Sequence, residues 1–217
     1  MANEMTKEWL KAYCMEQGYY GTPSLNDKLF LHFKGFDRIQ NLEAYTGLKS
    51  LFLEGNGLEE IEGLEGCQEL RCLFVQQNMI FAIPPDLPRS ISTINISNNN
   101  ISKLEHLAGL TDLQTIQASH CKLKDLDGIR ELSSCKALSC VDIQQNKIDG
   151  DPEEMLQLFK AMPALSVLYL QGNPIVATVR QYRKRMIAEI PSLTYLDDRP
   201  VFHLERLCAE AWAVGRA

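Results

Sequence analysis

The residues of this chain that could do covalent or metal chemistry are seven cysteines, four histidines and several paired acids, and their spacing decides against it. His120-Cys121 is the nearest approach to a thiol–imidazole pair, yet neighbours on an extended strand point to opposite faces. The histidines (His32, His106, His120, His203) show no metal-ligand spacing, and no two cysteines form a C-x-x-C pair. Cys72 and Cys140 occupy the same place in a repeat, but three strands at ~4.8 Å each hold them ~15 Å apart, too far for a disulfide or a shared metal. Glu59-Glu60 and Asp197-Asp198 read as caps and solvated loops. Gly55-Asn56-Gly57 invites a ligand-loop reading, but neither G-x-x-x-x-G-K-[ST] nor G-x-G-x-x-G occurs. The basic run Arg180, Arg183, Lys184, Arg185 leaves two readings open, a solvated helix face or contact with an acidic partner. The expectation is a non-enzyme with no cofactor and no metal.

Composition narrows the class further. A hydrophobic share of 45% and a charged share of 23% fit a folded, water-soluble protein. The net charge of −6 argues against nucleic acid as a partner, since such proteins concentrate basic charge on one face. No apolar run is long enough to span a membrane, and the N-terminus lacks the basic and apolar regions of a signal peptide. An odd cysteine count without a secretory signal predicts reduced thiols and a cytoplasmic location, so the two Asn-x-Ser sequons at Asn95 and Asn100 carry no weight.

What positions these residues is a repeat. "LKSLFLEGNGLEEI" from Leu48 aligns with "LRCLFVQQNMIFAI" from Leu70, "ISTINISNNNISKL" from Ile91 and "LQTIQASHCKLKDL" from Leu113. "LSCVDIQQNKI" from Leu138 and "LSVLYLQGNPI" from Leu165 follow, and a degraded first copy is "NDKLFLHFKGFDRI". Each clear copy fits L-x-x-L-x-L-x-x-(N/C)-x-L, the leucine-rich repeat. About seven copies predict an α/β leucine-rich-repeat solenoid with a parallel concave sheet, an N-terminal helical cap and a C-terminal repeat cap. The expected bounds are residues 1–25, 26–175 and 176–217.

Period-2 alternation sends the fourth and sixth slots inward, where stacked copies share one core. The ninth slot (Asn56, Asn78, Asn99, Cys121, Asn146, Asn173) should form a corner ladder, its amides bonding backbone groups that the turn leaves unpaired. "PPDLPRS" is too proline-rich for a helix, whereas "DPEEMLQLFKAMP" has Asp151 as N-cap and Pro152 in the first turn of an α-helix. Thr6 to Gln17 predicts a capping helix burying Trp9, Leu10, Tyr13 and Cys14. At the far end Tyr182, Met186, Ile187 and Ile190 are helically spaced, and a last helix, His203 to Ala213, offers Leu204, Leu207, Cys208, Ala211 and Trp212 for docking.

The fifth slot points out of the sheet, and down the stack it reads Phe30, Phe52, Phe74, Asn95, Gln117, Asp142 and Tyr169. Rings on neighbouring strands ~4.8 Å apart should form a ladder. That ladder has two readings: a partner-binding surface rimmed by His32, Phe33, Glu54, Gln76 and Gln77, or aromatic pairing that only stiffens the sheet.

The two ends carry a more specific likeness. "MTKEWLKAYCMEQGYYGTPSLNDKLFLHFKGFDRIQNLEAYTGLKSLFLEGNGL" and "LTYLDDRPVFHLERLCAEAWAVG" resemble the axonemal dynein assembly factor one family, a likeness running from Met5 to Gly215. The resemblance implies a scaffold for cytoplasmic preassembly of dynein arms in ciliated or flagellated cells, with dynein chains or chaperone machinery as partners and a monomeric state. It also implies a further, less ordered tail beyond these 217 residues. The alternative is another intracellular repeat regulator, such as a protein-phosphatase-binding subunit.

Overall fold

The computed structural model describes residues 3–215. Seven three-residue strands form the spine: β1 Lys28–Phe30, β2 Ser50–Phe52, β3 Cys72–Phe74, β4 Thr93–Asn95, β5 Thr115–Gln117, β6 Cys140–Asp142 and β7 Val167–Tyr169. They pair in parallel and in sequence order, and two short strands, β8 Tyr195–Leu196 and β9 Arg199–Pro200, close the sheet, the last one antiparallel. All seven predicted copies, including the degraded first, therefore supply a strand. The register aligns Leu29, Leu51, Leu73, Ile94, Ile116, Val141, Leu168 and Leu196 in one column, and each is wholly buried. One copy exposes that side chain on both flanks; stacking covers it from both, so the core is continuous along the solenoid.

The corner ladder has the predicted chemistry. Asn99 Nδ2 donates to Ile96 O of its own copy (2.8 Å) and Val75 O of the copy before (3.0 Å), while the Ile80 N–H donates to Asn99 Oδ1 at 3.0 Å. Asn78, Asn146 and Asn173 repeat the arrangement. Asn56 extends it to the degraded copy, accepting from both Lys34 and Phe36 N–H. Cys121 keeps only the donor half, with Sγ 3.4 Å from Ile96 O. Each amide thus stitches two copies by satisfying buried backbone groups that no sheet bond reaches.

The residue before each corner has left-handed φ in every copy: Phe33, Gly55, Gln77, Asn98, His120, Gln145 and Gly172. At Gly55 the requirement is doubled, because a Cβ would also lie 2.1–2.9 Å from the Phe33 ring.

The ends are closed by helices. Helix α1 (Lys7–Glu16) starts at Thr6, whose hydroxyl accepts from the Trp9 N–H (3.0 Å), and buries Leu10, Tyr13 and Cys14. Trp9 is half-buried, stacked on Tyr13 and edge-on to Phe36. Helix α2 (Pro152–Lys160) begins at Asp151, whose carboxylate accepts from Glu153 N–H at 2.6 Å, and it buries Met155, Leu156 and Phe159. The "PPDLPRS" arc runs as turns. After β7 come α3 (Pro174–Thr178), α4 (Tyr182–Glu189) and α5 (His203–Val214).

Two expectations about this end are corrected. Helix α5 does not dock through Leu204, Leu207, Cys208 and Ala211, which are exposed, with Leu204 at 72%. It turns Ala209, Glu205 and Arg206 inward, where Glu205 meets Arg183 and Arg206 meets carbonyls in the last turn of α4 and in the segment after it. Arg206 donates to Ile187 O (3.0 Å) and to Leu193 O. The basic run is likewise neither a plain solvated face nor free for an acidic partner at Arg183 and Arg185. Arg183 bridges Glu205 (2.7 Å), Leu196 O (2.7 Å) and Pro200 O (3.0 Å), and Arg185 holds Glu153 at 2.6 Å. These arginines lock α4 to α5 and to α2; Arg180 and Lys184 remain exposed.

Candidate partner-binding face

The outward column of the concave sheet begins as an aromatic stack. Phe30 and Phe52 lie 4.4 Å apart with planes 22° from parallel, and Phe52 and Phe74 lie 4.7 Å apart at 9°. The spacing follows from strand separation alone, so identical residues in one slot are forced into register. Phe30 is 38% exposed, and Phe52 and Phe74 are half-buried by their neighbours in the stack. Helix α1 reaches the edge of this column, where Tyr13 Oη donates to Phe30 O at 2.5 Å. Phe33, 67% exposed, extends the apolar surface over Gly55.

Two residues along each strand, the seventh slot forms a polar column beside the rings. In the first three copies it holds His32, Glu54 and Gln76, with His32 Nδ1 3.9 Å from Glu54 Oε1, too long for a hydrogen bond. His32 Nδ1, Glu54 Oε2 and Gln76 Oε1 are shielded atoms without a hydrogen-bond partner. Gln77 lies exposed at the rim.

Farther down, the concave face changes character. Asn95 Oδ1 accepts from Ser97 N–H (3.0 Å), Ser97 Oγ accepts from Ser119 N–H (3.2 Å), and Asp142 accepts from Gln144 N–H (3.2 Å). Gln171 donates to Gln144 Oε1 at 2.9 Å. Asp142 is buried, which pushes its carboxyl above the usual range. Tyr169 packs at 5.6 Å against Tyr195, a second aromatic pair at the far end. The sequence pattern placed all these residues on one face; it did not separate the half that satisfies itself from the half that does not. The partial signal was there: Asn and Asp readily bond the N–H two residues on, whereas Phe cannot.

Other candidates dissolve. Cys121 is buried with its thiol pushed up to about 11 by desolvation, and His120 points out to solvent. Among the described residues no group of three or more His, Cys, Asp or Glu is placed to hold a metal ion. No described helix is long and apolar enough to cross a membrane.

Known proteins can now be set beside this geometry. No family model matches the chain. It is 50% identical over 212 residues to the leucine-rich repeat-containing protein ODA7 of Chlamydomonas reinhardtii, covering 97% of this chain and 49% of that protein. It is 47% identical over 212 residues to dynein axonemal assembly factor 1 of Peromyscus californicus, covering 97% and 34%. The chain is a homologue of dynein axonemal assembly factor 1. A Drosophila erecta homolog of that factor shares 46% over 211 residues, 96% of this chain and 14% of the relative. The likeness read from the two ends therefore runs through the whole array. The chain spans half or less of the length of each of these relatives of dynein axonemal assembly factor 1.

Solved structures bear out the leucine-rich-repeat fold. An internalin of Listeria monocytogenes matches with a TM-score of 0.63 at 21% identity, covering 81% of this chain and 49% of that one. A leucine-rich-repeat protein of Leptospira interrogans matches at 0.64 and 23%, covering 77% and 42%.

Proposed function

We propose that the chain is the repeat module of a dynein-arm assembly factor, a non-catalytic scaffold working in the cytoplasm of ciliated or flagellated cells. Its concave face holds dynein chains or their chaperone machinery during preassembly, through Phe30, Phe52 and Phe74 with His32, Phe33, Glu54, Gln76 and Tyr169 around them. The observation that carries this reading is the stack of three rings, Phe30 exposed and Phe52 and Phe74 half-buried, on the surface where repeat solenoids bind. Each ring offers on the order of 150–250 Å², so the partly exposed stack together with Phe33, 67% exposed, approaches the few hundred Å² at which an apolar patch suggests a partner. Homology to dynein axonemal assembly factor 1 and to ODA7 supplies the cellular context.

Replacing Phe52 and Phe74 with serine tests it. The core column of Leu51 and Leu73 is untouched, so the variant stays folded, and capture of axonemal dynein chains and chaperones from ciliated-cell lysate drops. A large fall in melting temperature with unchanged capture makes the stack a sheet stiffener. Recovery of a protein phosphatase without dynein chains or chaperones refutes the assembly reading.

A further inference from the structure

We propose that the hollow between α1 and the arc of the first copy is a binding site for a small amphiphilic carboxylate, of the chemical class of a medium-chain fatty acid. The apolar chain fills the hollow and the carboxylate lies between Lys7 and Lys11 at its mouth. The site is separate from the concave face, so it stands or falls independently of the reading above.

Helix α1 presents one stripe to this space, Lys7, Leu10, Lys11 and Cys14, spaced as neighbours on one helical face. The arc of the first copy faces it with Asn41, Glu43, Ala44 and Tyr45, and Tyr20, Gly21 and Pro23 complete the wall. The space between them measures about 390 Å³, within the range of small-molecule sites. Its floor is made by buried residues, Leu10, Cys14 and Tyr45, with Cys14 Sγ 3.5 Å from Tyr45 Oη. Thiol and phenol thus engage each other and leave the floor largely apolar. Two of the walls are fixed by hydrogen bonds. Buried Asn26 accepts from the Tyr20 N–H (2.9 Å) and donates to Tyr20 O (3.0 Å), and Asn41 donates to Met5 O (2.7 Å). The hollow is therefore in place before a ligand arrives, which lowers the ordering cost of binding.

The charges at the mouth select the ligand. Lys7, Lys11 and Glu43 are exposed, and among the described residues none of the three makes an ion pair. Two lysines against one glutamate leave the mouth with a net positive charge of one, which a monoanion balances and a cation does not. Lys7 and Lys11 are four residues apart, about 6 Å along the helix axis, so both ammonium groups can close on one carboxylate. The space behind them suits an apolar chain. By contrast, the hollow of about 510 Å³ beside Met79 is walled by Asp37, Glu59, Glu60 and Glu62 and would repel such a ligand.

Decanoate is the probe, titrated by calorimetry and by NMR of protein with labelled leucine methyl groups; decanol removes the charge and decylammonium inverts it. Decanoate binds once per chain and shifts the Leu10 methyl signals, leaving those of Leu207 on the exposed face of α5 in place. Decanol binds about three- to tenfold more weakly, the loss expected of two exposed charge contacts, and decylammonium more weakly still. The double variant Lys7→Gln/Lys11→Gln weakens decanoate by the same factor and leaves decanol unchanged. Ala44→Phe adds a larger side chain at an exposed position of the wall, outside the core, and abolishes binding of both. Thermal melts check that each variant is folded. No saturable binding of decanoate below about 1 mM, shifts at Leu204 and Leu207 in place of Leu10, or binding untouched by Ala44→Phe overturns the proposal. Equal affinity for decanoate and decanol overturns the carboxylate assignment, and the proposal with it.

Discussion

Replacing Asn99 by alanine removes an amide that is only 3% exposed and joins two copies. The structure says which of its four bonds matters most; one of them, to Ser97 O at 3.3 Å, goes to an acceptor that the Gln77 N–H also reaches. Val75 O keeps a second donor in Asn78 Nδ2 (2.9 Å), and Ile96 O keeps the Cys121 thiol, so neither carbonyl is stranded. The Ile80 N–H has Asn99 Oδ1 as its acceptor and loses it. A stranded buried N–H costs about 1–3 kcal/mol, and a small cavity adds to it, so Asn99→Ala should cost about 2–4 kcal/mol. Asn99→Cys copies the natural exception at Cys121: it keeps a donor and most of the volume but no good acceptor, and should cost about 1–2 kcal/mol. The converse, Cys121→Asn, gives the Ile101 N–H the acceptor that the thiol does not offer and should gain about 1 kcal/mol. Urea unfolding followed by circular dichroism measures all three, with each kcal/mol worth about 2–4 °C of melting temperature at this size. If Asn99→Cys is as harmful as Asn99→Ala, or Cys121→Asn lowers stability, the acceptor arm is not what holds the corners and the reasoning fails.

Gly55→Ala should lose about 1–2 kcal/mol, from left-handed φ of +64° and the clash with Phe33, while Gln77→Gly at the equivalent corner should change stability by less than about 1 kcal/mol; both are read by thermal melts. The Glu205 carboxyl is held below its usual range, first by its hydrogen bond to Arg183. A depressed carboxylate stabilises above its unfolded value near 4.5, and that stability is lost as pH falls through the lower folded value. Helix α5 should therefore become protease-sensitive on acidification below about pH 4.5. Arg183→Met should make it so at neutral pH, at a cost of about 1–3 kcal/mol. Burial pushes the Cys67, Cys121 and Cys135 thiols up to about 11. Iodoacetamide at neutral pH should label exposed Cys208 first and reach those three only on unfolding, as mass spectrometry of tryptic peptides would show.

The repeat made most of the fold legible, because a fixed period of apolar slots has one stacking solution. The inward columns, the asparagine corners, the Thr6 and Asp151 helix starts and the outward row from Phe30 to Tyr169 all follow from alternation and local hydrogen bonding, which depend on nearest neighbours in sequence. The terminal helix shows where that logic stops. Leu204, Leu207, Cys208 and Ala211 make an apolar face, yet α5 docks through its other side. What it meets there is decided by the carbonyls of Ile187 and Leu193, which accept from Arg206, and by Arg183, which bonds Glu205, all brought together only when the chain has folded. The same holds for Arg183 and Arg185, which read as surface charge and are internal struts.

By itself, then, the sequence determined the solenoid, its register and which side chains leave the concave face, since those are consequences of a short-range periodic pattern. Tertiary structure alone decided which of them are already spoken for. Asn95 and Asp142 turn back to their own strands; Glu54 and Gln76, one and two copies after His32, do not. Hydrogen-bond satisfaction depends on atoms placed by several copies at once, and no single copy carries that information.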